Sequence, residues 1–206
     1  MSNTFFQNTC KPEGFGGKLM VNMMNNGHAP LAEWGMQYAP LSNDSVLLDI
    51  GCGGGANIAE FLLRCPDGKV NGIDYSEVSV AKAGKKNQKA IKEGRCVIQQ
   101  GEVSALPFAE KTFDLVSAFE TVYFWPDIEN DFRQVFKVLR SGATFLLCNE
   151  SDGLDSNGKK WETIIDGMKI YTVEQLTEIL TKAGFNHIAV HHNPQKHWMC
   201  ITAEKE

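Results

Sequence analysis

An aspartate and four glycines fall within seven residues, Asp49-Ile50-Gly51-Cys52-Gly53-Gly54-Gly55. Glycines let a backbone approach a ligand closely, and a helix that starts just after such a turn presents unpaired N–H groups. Asp74 lies 23 residues beyond Gly51. If it ends the next strand, its carboxylate is placed to accept hydrogen bonds from both ribose hydroxyls of a nucleoside. Gly51, Gly53 and Ala56 also satisfy GxGxx(G/A), the dinucleotide fingerprint, and a glycine-rich turn on its own can be no more than a tight βα connection. Residue types at this spacing therefore leave both kinds of ligand open.

A second set, Glu120, Thr121, Val122, Tyr123, Phe124 and Trp125, follows a strand-like run. Glu120 and Tyr123 are the candidate pocket residues, because a polar group at a strand's carboxyl end is poorly used in a core. Phe124-Trp125-Pro126 reads equally as a hydrophobic plug fixing the start of the next helix. Glu150 ends a later strand in the same way and could serve only to bind a loop. His28, near Trp34, lines the pocket if the N-terminal helices fold over it, although a lone histidine is more often an ordinary polar residue. His187, His191, His192 and His197 lie in or around the last hairpin. His191 and His192 are adjacent, so on a strand they point to opposite faces and cannot readily share a metal. The six cysteines form no CxxC pair and no short Cys/His spacing. No metal site is expected.

The elements that must position these residues are legible from residue 45 onward. Short apolar runs at 46–50, 69–73, 96–98, 113–119 and 143–148 read as strands, the first ending on the glycines as a buried parallel strand does. Between them lie a helix at 56–64 and a helix capped by Ser76, running to Ile91 and stopped by Gly94. Another is opened by Pro126, Asp127 and Glu129, closed by Lys137 and Arg140, and ended by Gly142. Its apolar stripe is Ile128, Phe132, Val135, Phe136 and Leu139. After a polar stretch, Thr172 and Gln175 form a capping box with Tyr171 and Leu176 as its staple, and that helix stops at Gly184. Strands at 188–192 and 198–202 flank Asn193-Pro194 as a hairpin. The expected fold is α/β: a doubly wound, Rossmann-like sheet of seven strands, mostly parallel, with a C-terminal antiparallel hairpin. Residues 1–40 are expected to form a helical cap. One short helix carries Leu19, Met20, Met23 and Met24 and is broken at Asn25-Asn26-Gly27; another begins at Pro30 and carries Leu31, Trp34 and Tyr38. Residues 41–206 make the ligand-binding domain, with 151–170, including Trp161, either a lid or a plain surface loop.

At 206 residues the chain can bury roughly 70% of the surface its unfolded form exposes, so a single domain needs no covalent staples. A net charge of −5 and a pI near 5.6 disfavour nucleic acid as the main substrate. The five lysines between Lys82 and Lys92 fit one solvated helix face. Scattered cysteines read as free thiols in a reducing compartment. With no apolar leader and no membrane-length run, a cytoplasmic protein is expected, as monomer or homodimer.

The segments VLLDIGCGGG, GIDYS, GEVSALPF, FDLVSAFE and VLRSGATFLL occur in that order, and together they resemble the class I S-adenosylmethionine-dependent methyltransferases. The similarity is greatest to the branch containing the ubiquinone- and menaquinone-biosynthesis enzymes and other small-molecule enzymes. It is strong over residues 46 to about 150 and looser beyond. The resemblance implies S-adenosylmethionine as cofactor and a small-molecule methyl acceptor. It puts Gly51, Gly53 and Gly55 beneath the methionyl part, with Asp49 supporting the loop and Asp74 on the ribose, and it adds Tyr75 and Phe119 to the cofactor site. Glu102 stands where the family usually has an aspartate at the adenine amino group, so either the loop shifts slightly or the Val103 N–H carries more of that contact. Arg140-Ser141-Gly142 replaces the usual Lys-Pro-Gly. Glu120, Tyr123 and His28 are then the candidate catalytic residues. A nicotinamide-dependent oxidoreductase is the first alternative, although the chain has no YxxxK. A non-catalytic module that keeps the cofactor fold is the second.

Overall fold

The computed structural model describes residues 10, 12, 14, 16, 27–154, 156–193 and 195–206. The expected helix through Leu19, Met20, Met23 and Met24, its break at Asn25-Asn26 and the turn residue Pro194 lie outside them.

Seven strands form one sheet in the order β3-β2-β1-β4-β5-β7-β6. They are β1 (Val46–Ile50), β2 (Lys69–Asp74), β3 (Cys96–Gln100), β4 (Phe113–Phe119), β5 (Leu139–Asn149), β6 (Asn186–Asn193) and β7 (Trp198–Lys205). The first five pair in parallel, and β7 runs antiparallel to both β5 and β6. The doubly wound sheet with a C-terminal hairpin is thus as expected. Its apolar strands are central because both of their faces are covered: Leu47 and Leu48 are adjacent on β1 and both are fully buried.

The helices divide between the two faces. On one side lie α1 (Ala29–Gly35), α2 (Ala56–Arg64), α3 (Glu77–Lys86) and α4 (Gln88–Lys92), sharing a core of Leu31, Met36, Leu47, Ile58, Phe61 and Leu146. On the other lie α5 (Ile128–Val138) and α7 (Val173–Ala183), packed through Phe132, Val135, Leu176 and Leu180 onto Leu48, Val116 and Phe145. Helix α1 is no loose cover: Leu31 is fully buried, and a Cβ on Gly35 would run into the Cys148 sulfur. The Thr172–Gln175 capping box and the left-handed Gly184 bound α7 as the residue types require.

Four boundaries differ from the sequence reading, each for a physical reason. The single helix expected from Ser76 to Ile91 is two, broken at Asn87 (φ −101°, ψ 18°), whose buried amide bonds to the Gly55 and Ala83 carbonyls. Helix α5 ends at Val138 rather than Gly142, because Leu139 pairs with Phe113 and starts β5; residues 140–143 form an irregularity before pairing resumes at Thr144. Strands β2, β3, β6 and β7 also run beyond their apolar residues, since ladder hydrogen bonds do not require apolar side chains. Finally, the polar stretch after β5 contains a helix, α6 (Ser156–Ile164), where Ser-Asn-Gly has poor helix propensity.

Candidate active site

The glycine turn is built by the end of β1. Gly51 and Cys52 N–H groups both donate to the Ile73 carbonyl at 2.8 and 3.1 Å, so the chain leaves the sheet while still tied to β2. Gly51 (φ 68°), Gly53 (φ 52°) and Gly55 (φ 74°) are left-handed, a conformation that costs other residues about 1–2 kcal/mol each. Gly51 is also sterically confined, because an added Cβ would collide with the Thr121 side chain. At the end of β2 the Asp74 carboxylate accepts the Gly53 N–H at 2.9 Å on one oxygen and the Ser76 N–H at 2.8 Å on the other. Asp74 therefore braces the turn before any ligand arrives, and each oxygen keeps a further lone pair. Burial raises its pKa, opposed by these two backbone donors. Asp49 is almost fully buried. Its Oδ1 accepts the Ser117 hydroxyl at 2.7 Å, whereas Oδ2 has no partner among the described residues. Burial outweighs the Ser117 bond, with the Asp74 charge adding to it, and lifts the Asp49 pKa to about 7.

Two cavities open at the carboxyl ends of the strands and meet at this turn. One, of about 490 Å³, is lined by Gly51, Gly53, Asp74, Tyr75, Phe119, Glu120 and His28, with Leu31, Ala32 and Met36 from the N-terminal helices. The other, of about 320 Å³, is lined by Ile50, Ile73, Gly101, Glu102, Val103 and Trp125. Gly51, Asp74, Tyr75, Thr121 and Phe124 border both. Gly55, Asp49 and Tyr123 line neither. Gly55 is the N-cap of α2, and its carbonyl holds the Asn87 amide.

Glu120 projects from the end of β4 with its backbone in the left-handed region (φ 57°), uncommon for a residue with a side chain. Its Oε1 accepts the Tyr123 hydroxyl at 3.1 Å and the Glu150 N–H. Its Oε2 faces His28 Nε2 at 4.0 Å. Burial first, then the neighbouring Glu150 charge, lift its pKa to about 8 despite those two donors. Burial lowers the pKa of His28. Tyr123 sits behind Glu120, and its hydroxyl also accepts the Ser151 N–H at 3.3 Å. Its carbonyl takes the Lys169 N–H at 2.8 Å, so both ends of the 151–170 segment are anchored on this residue. Phe124-Trp125 divides between the two readings offered for it: Phe124 borders the cavities, while Trp125 packs on Phe132 and Phe145 in the core.

Several participants carried no recognisable sequence signal. Cys10 and Pro12 reach the first cavity, their carbonyls accepting the hydroxyls of Tyr75 and of Ser76, the latter at 2.7 Å. Asn87 braces the glycine turn from the break between α3 and α4. Glu150, noted only as a strand-end carboxylate, joins Glu120 and His28 in a group whose candidate ligand atoms all lie within 4.8 Å of one another. His191 and His192 do lie on opposite faces, and His191 stacks on Tyr38 at 3.7 Å.

Residues 48–147 match the family model described as a methyltransferase domain. The 27-O-demethylrifamycin SV methyltransferase of Amycolatopsis mediterranei is 30% identical over 151 residues, 70% of this chain and 55% of that protein. The demethylmenaquinone methyltransferase of Roseiflexus sp. is 36% identical over 97 residues, 47% of this chain and 39% of that protein. The chain spans about half the length, or less, of these curated relatives. Among solved structures, an S-adenosylmethionine-dependent methyltransferase of Aquifex aeolicus superposes with a TM-score of 0.74 at 17% identity, covering 90% of this chain and 97% of that one; this shows the shared fold. Five ordered motifs, a glycine turn braced by a strand-end carboxylate and the match across the central strands thus converge: residues 48–147 of this chain are a methyltransferase domain.

Proposed function

We propose that this protein transfers a methyl group from S-adenosylmethionine to a small-molecule acceptor. The observation that carries this reading is the position of Asp74: one carboxylate, already oriented by two backbone donors, stands where two cavities meet over a glycine turn. A nucleoside joined to an amino-acid tail fits that plan, with the base in the smaller cavity and the tail over the turn. The residues present suit the cofactor: Gly51 leaves the turn uncovered, and Asp49 Oδ2, at the root of that turn, is a buried carboxylate oxygen without a partner among the described residues.

When bound, the cofactor supplies a methyl group already activated on a sulfonium, so the protein's task is to hold and orient. Gly51, Gly53 and Gly55 shape the turn under the methionyl part, with Asp49 supporting it. Asp74 holds the ribose hydroxyls, and Tyr75 and Phe119 flank them. Glu102 stands exposed at the mouth of the smaller cavity while Val103 is buried, which favours the Val103 backbone for adenine recognition. Glu120 and His28 face the remaining space, where the acceptor enters, and Tyr123 orients Glu120. Helix α1, with Cys10 and Pro12, forms the cover on that side, and 151–170, tied to Tyr123, form its rim. The scattered free thiols fit a reducing, cytoplasmic setting; among the described residues no helix is long and apolar enough to cross a membrane. The oxidoreductase alternative draws no support from the family match.

Isothermal calorimetry tests the cofactor assignment. S-adenosylhomocysteine binds with micromolar affinity or better, and NAD(P)H does not compete. Tight NADH binding without any response to S-adenosylhomocysteine would overturn the reading.

A further inference from the structure

We infer that the methyl acceptor is an amine, which enters as its ammonium, is gripped by Glu120, Glu150 and His28, and gives its proton to Glu120. The inference rests on the methyltransferase reading and adds to it the chemical class of the acceptor.

The argument begins with which atoms are already occupied. Tyr123 and the Glu150 N–H both hold Glu120 Oε1, so Oε2 is the oxygen left for a substrate, and it is the one facing His28. The His28 ring, whose pKa burial lowers, offers a nitrogen lone pair, and Glu150, set just beyond the cavity lining, offers a carboxylate oxygen. These three acceptors lie within 4.8 Å of one another. A primary ammonium has three N–H donors and no acceptor. Three N–H bonds of about 2.9 Å in tetrahedral directions place their acceptors roughly 4.7 Å apart, inside the 4.8 Å limit of this cluster, in which His28 Nε2 and Glu120 Oε2 are 4.0 Å apart. A neutral alcohol brings a single donor and leaves two buried acceptors unmatched. A carboxylate, phosphate or phenolate would meet the Glu150 carboxylate and, above the Glu120 pKa of about 8, a second one. Among the described residues Arg64 is the cation that borders the cavity, and it is bound to Glu60 and to the Met36 carbonyl, while Lys196 acts on Glu150. The apolar part of the wall, Leu31, Ala32 and Met36, suits the carbon body of an alkyl or aryl amine.

The proton step balances simply. R–NH3⁺ passes one proton to Glu120 Oε2, leaving R–NH2 and a neutral carboxyl group. The amine then gives up its bonds to Glu150 and His28 as it turns about its carbon–nitrogen bond, so that the lone pair faces the methyl group. The new N–CH3 bond then forms as the methyl–sulfur bond breaks, and the methylated ammonium carries the charge that sulfur loses. Glu120 suits the task because burial and the Glu150 charge make it a stronger base than an ordinary carboxylate. Glu150, just after β5, and Tyr123, from the following turn, act on it directly; His28 faces it from the N-terminal side, Cys148 of β5 feels its charge, and Lys196 acts on Glu150.

The test uses the full chain and a microbial metabolite extract separated by ion exchange into cationic, neutral and anionic fractions. Release of S-adenosylhomocysteine is followed in each, with and without EDTA. Methyl transfer in the cationic fraction, insensitive to EDTA, is expected. Glu120→Gln, whose carbonyl can still accept both donors, lowers that rate about 100-fold or more while calorimetric affinity for S-adenosylhomocysteine stays within twofold. Binding of the purified acceptor at pH 7, measured in two buffers of different ionisation enthalpy, releases a proton from wild type and none from Glu120→Gln. A silent cationic fraction from protein that binds S-adenosylhomocysteine overturns the amine assignment whatever the other fractions do. So does transfer that EDTA abolishes and Mg²⁺ restores, which gives the cluster to a metal. Failure to bind S-adenosylhomocysteine at all instead removes the methyltransferase reading.

Discussion

Glu120→Gln also isolates a stability effect that needs no substrate. The folded protein holds the Glu120 proton to a pKa of about 8, against 4.5 for the ordinary side chain. Between those values the folded state binds more proton than the unfolded state, so stability falls as pH rises. The stabilising contribution is complete below pH 4.5 and is lost by the time pH passes 8. Each pH unit in that window corresponds to about 1.4 kcal/mol, or about 4 kcal/mol between pH 5 and pH 8. The Glu120 side chain is 13% exposed, and water reaching it through the cavity reduces this to about 2 kcal/mol. Glutamine cannot ionise, and its carbonyl preserves the bonds from Tyr123 and Glu150. Urea unfolding of both proteins at pH 5, 6, 7 and 8 measures the difference directly. Asp49 and Glu150 contribute pH dependence of their own to both proteins, so the comparison removes most of it. The variant should gain about 2 kcal/mol on wild type between the two ends of the series. Parallel curves would show that Glu120 ionises freely in the folded protein and would refute the reasoning from burial.

Two further substitutions probe the glycine turn. Asp74→Ala weakens binding of S-adenosylhomocysteine by about 1.5–3 kcal/mol, the scale of hydrogen bonds to a charged group, measured by calorimetry; unchanged affinity would make Asp74 only a brace for Gly53 and Ser76. Asn87→Ala leaves the Gly55 and Ala83 carbonyls without their side-chain donor in a buried place and costs about 1–3 kcal/mol in urea unfolding. A loss below about 0.5 kcal/mol would show that water replaces the amide there.

The positions of these residues show how far the sequence could be read. The glycine turn, Asp74 and the order of strands were legible because each is a local matter. A buried parallel strand is a short apolar run, left-handed backbone requires glycine, and a strand-end carboxylate follows at a fixed remove. The same locality made the Thr172–Gln175 cap and its Gly184 stop readable. Helix α3 was overextended because Asn87 is an unremarkable residue in a helical pattern, and only its distant partner Gly55 explains the break. Leu139 was assigned to α5 because its spacing fits the apolar stripe; its pairing with Phe113 on β4 decided otherwise, a contact between residues far apart in sequence. The 151–170 segment hid α6 because its polar residues have weak intrinsic helix preference, and helices in proteins draw most of their stability from packing.

By itself, then, the sequence determined the periodic elements, their order, and the turn at which a nucleoside-bearing ligand can rest. It also supplied the separate acidic residues Glu120 and Glu150 and the separate histidine His28, without any indication that they belong together. Only the tertiary structure brought those three side chains within 4.8 Å, set Tyr123 behind Glu120 rather than in the cavity, and closed the far wall with helix α1. The reason is physical. Strand and helix periodicity is imposed by backbone geometry a few residues at a time. The convergence of residues 28, 120 and 150 depends on the parallel crossover that sets β4 beside β5 and on the burial of Leu31 that seats α1 on the sheet, neither of which leaves a local mark in the chain.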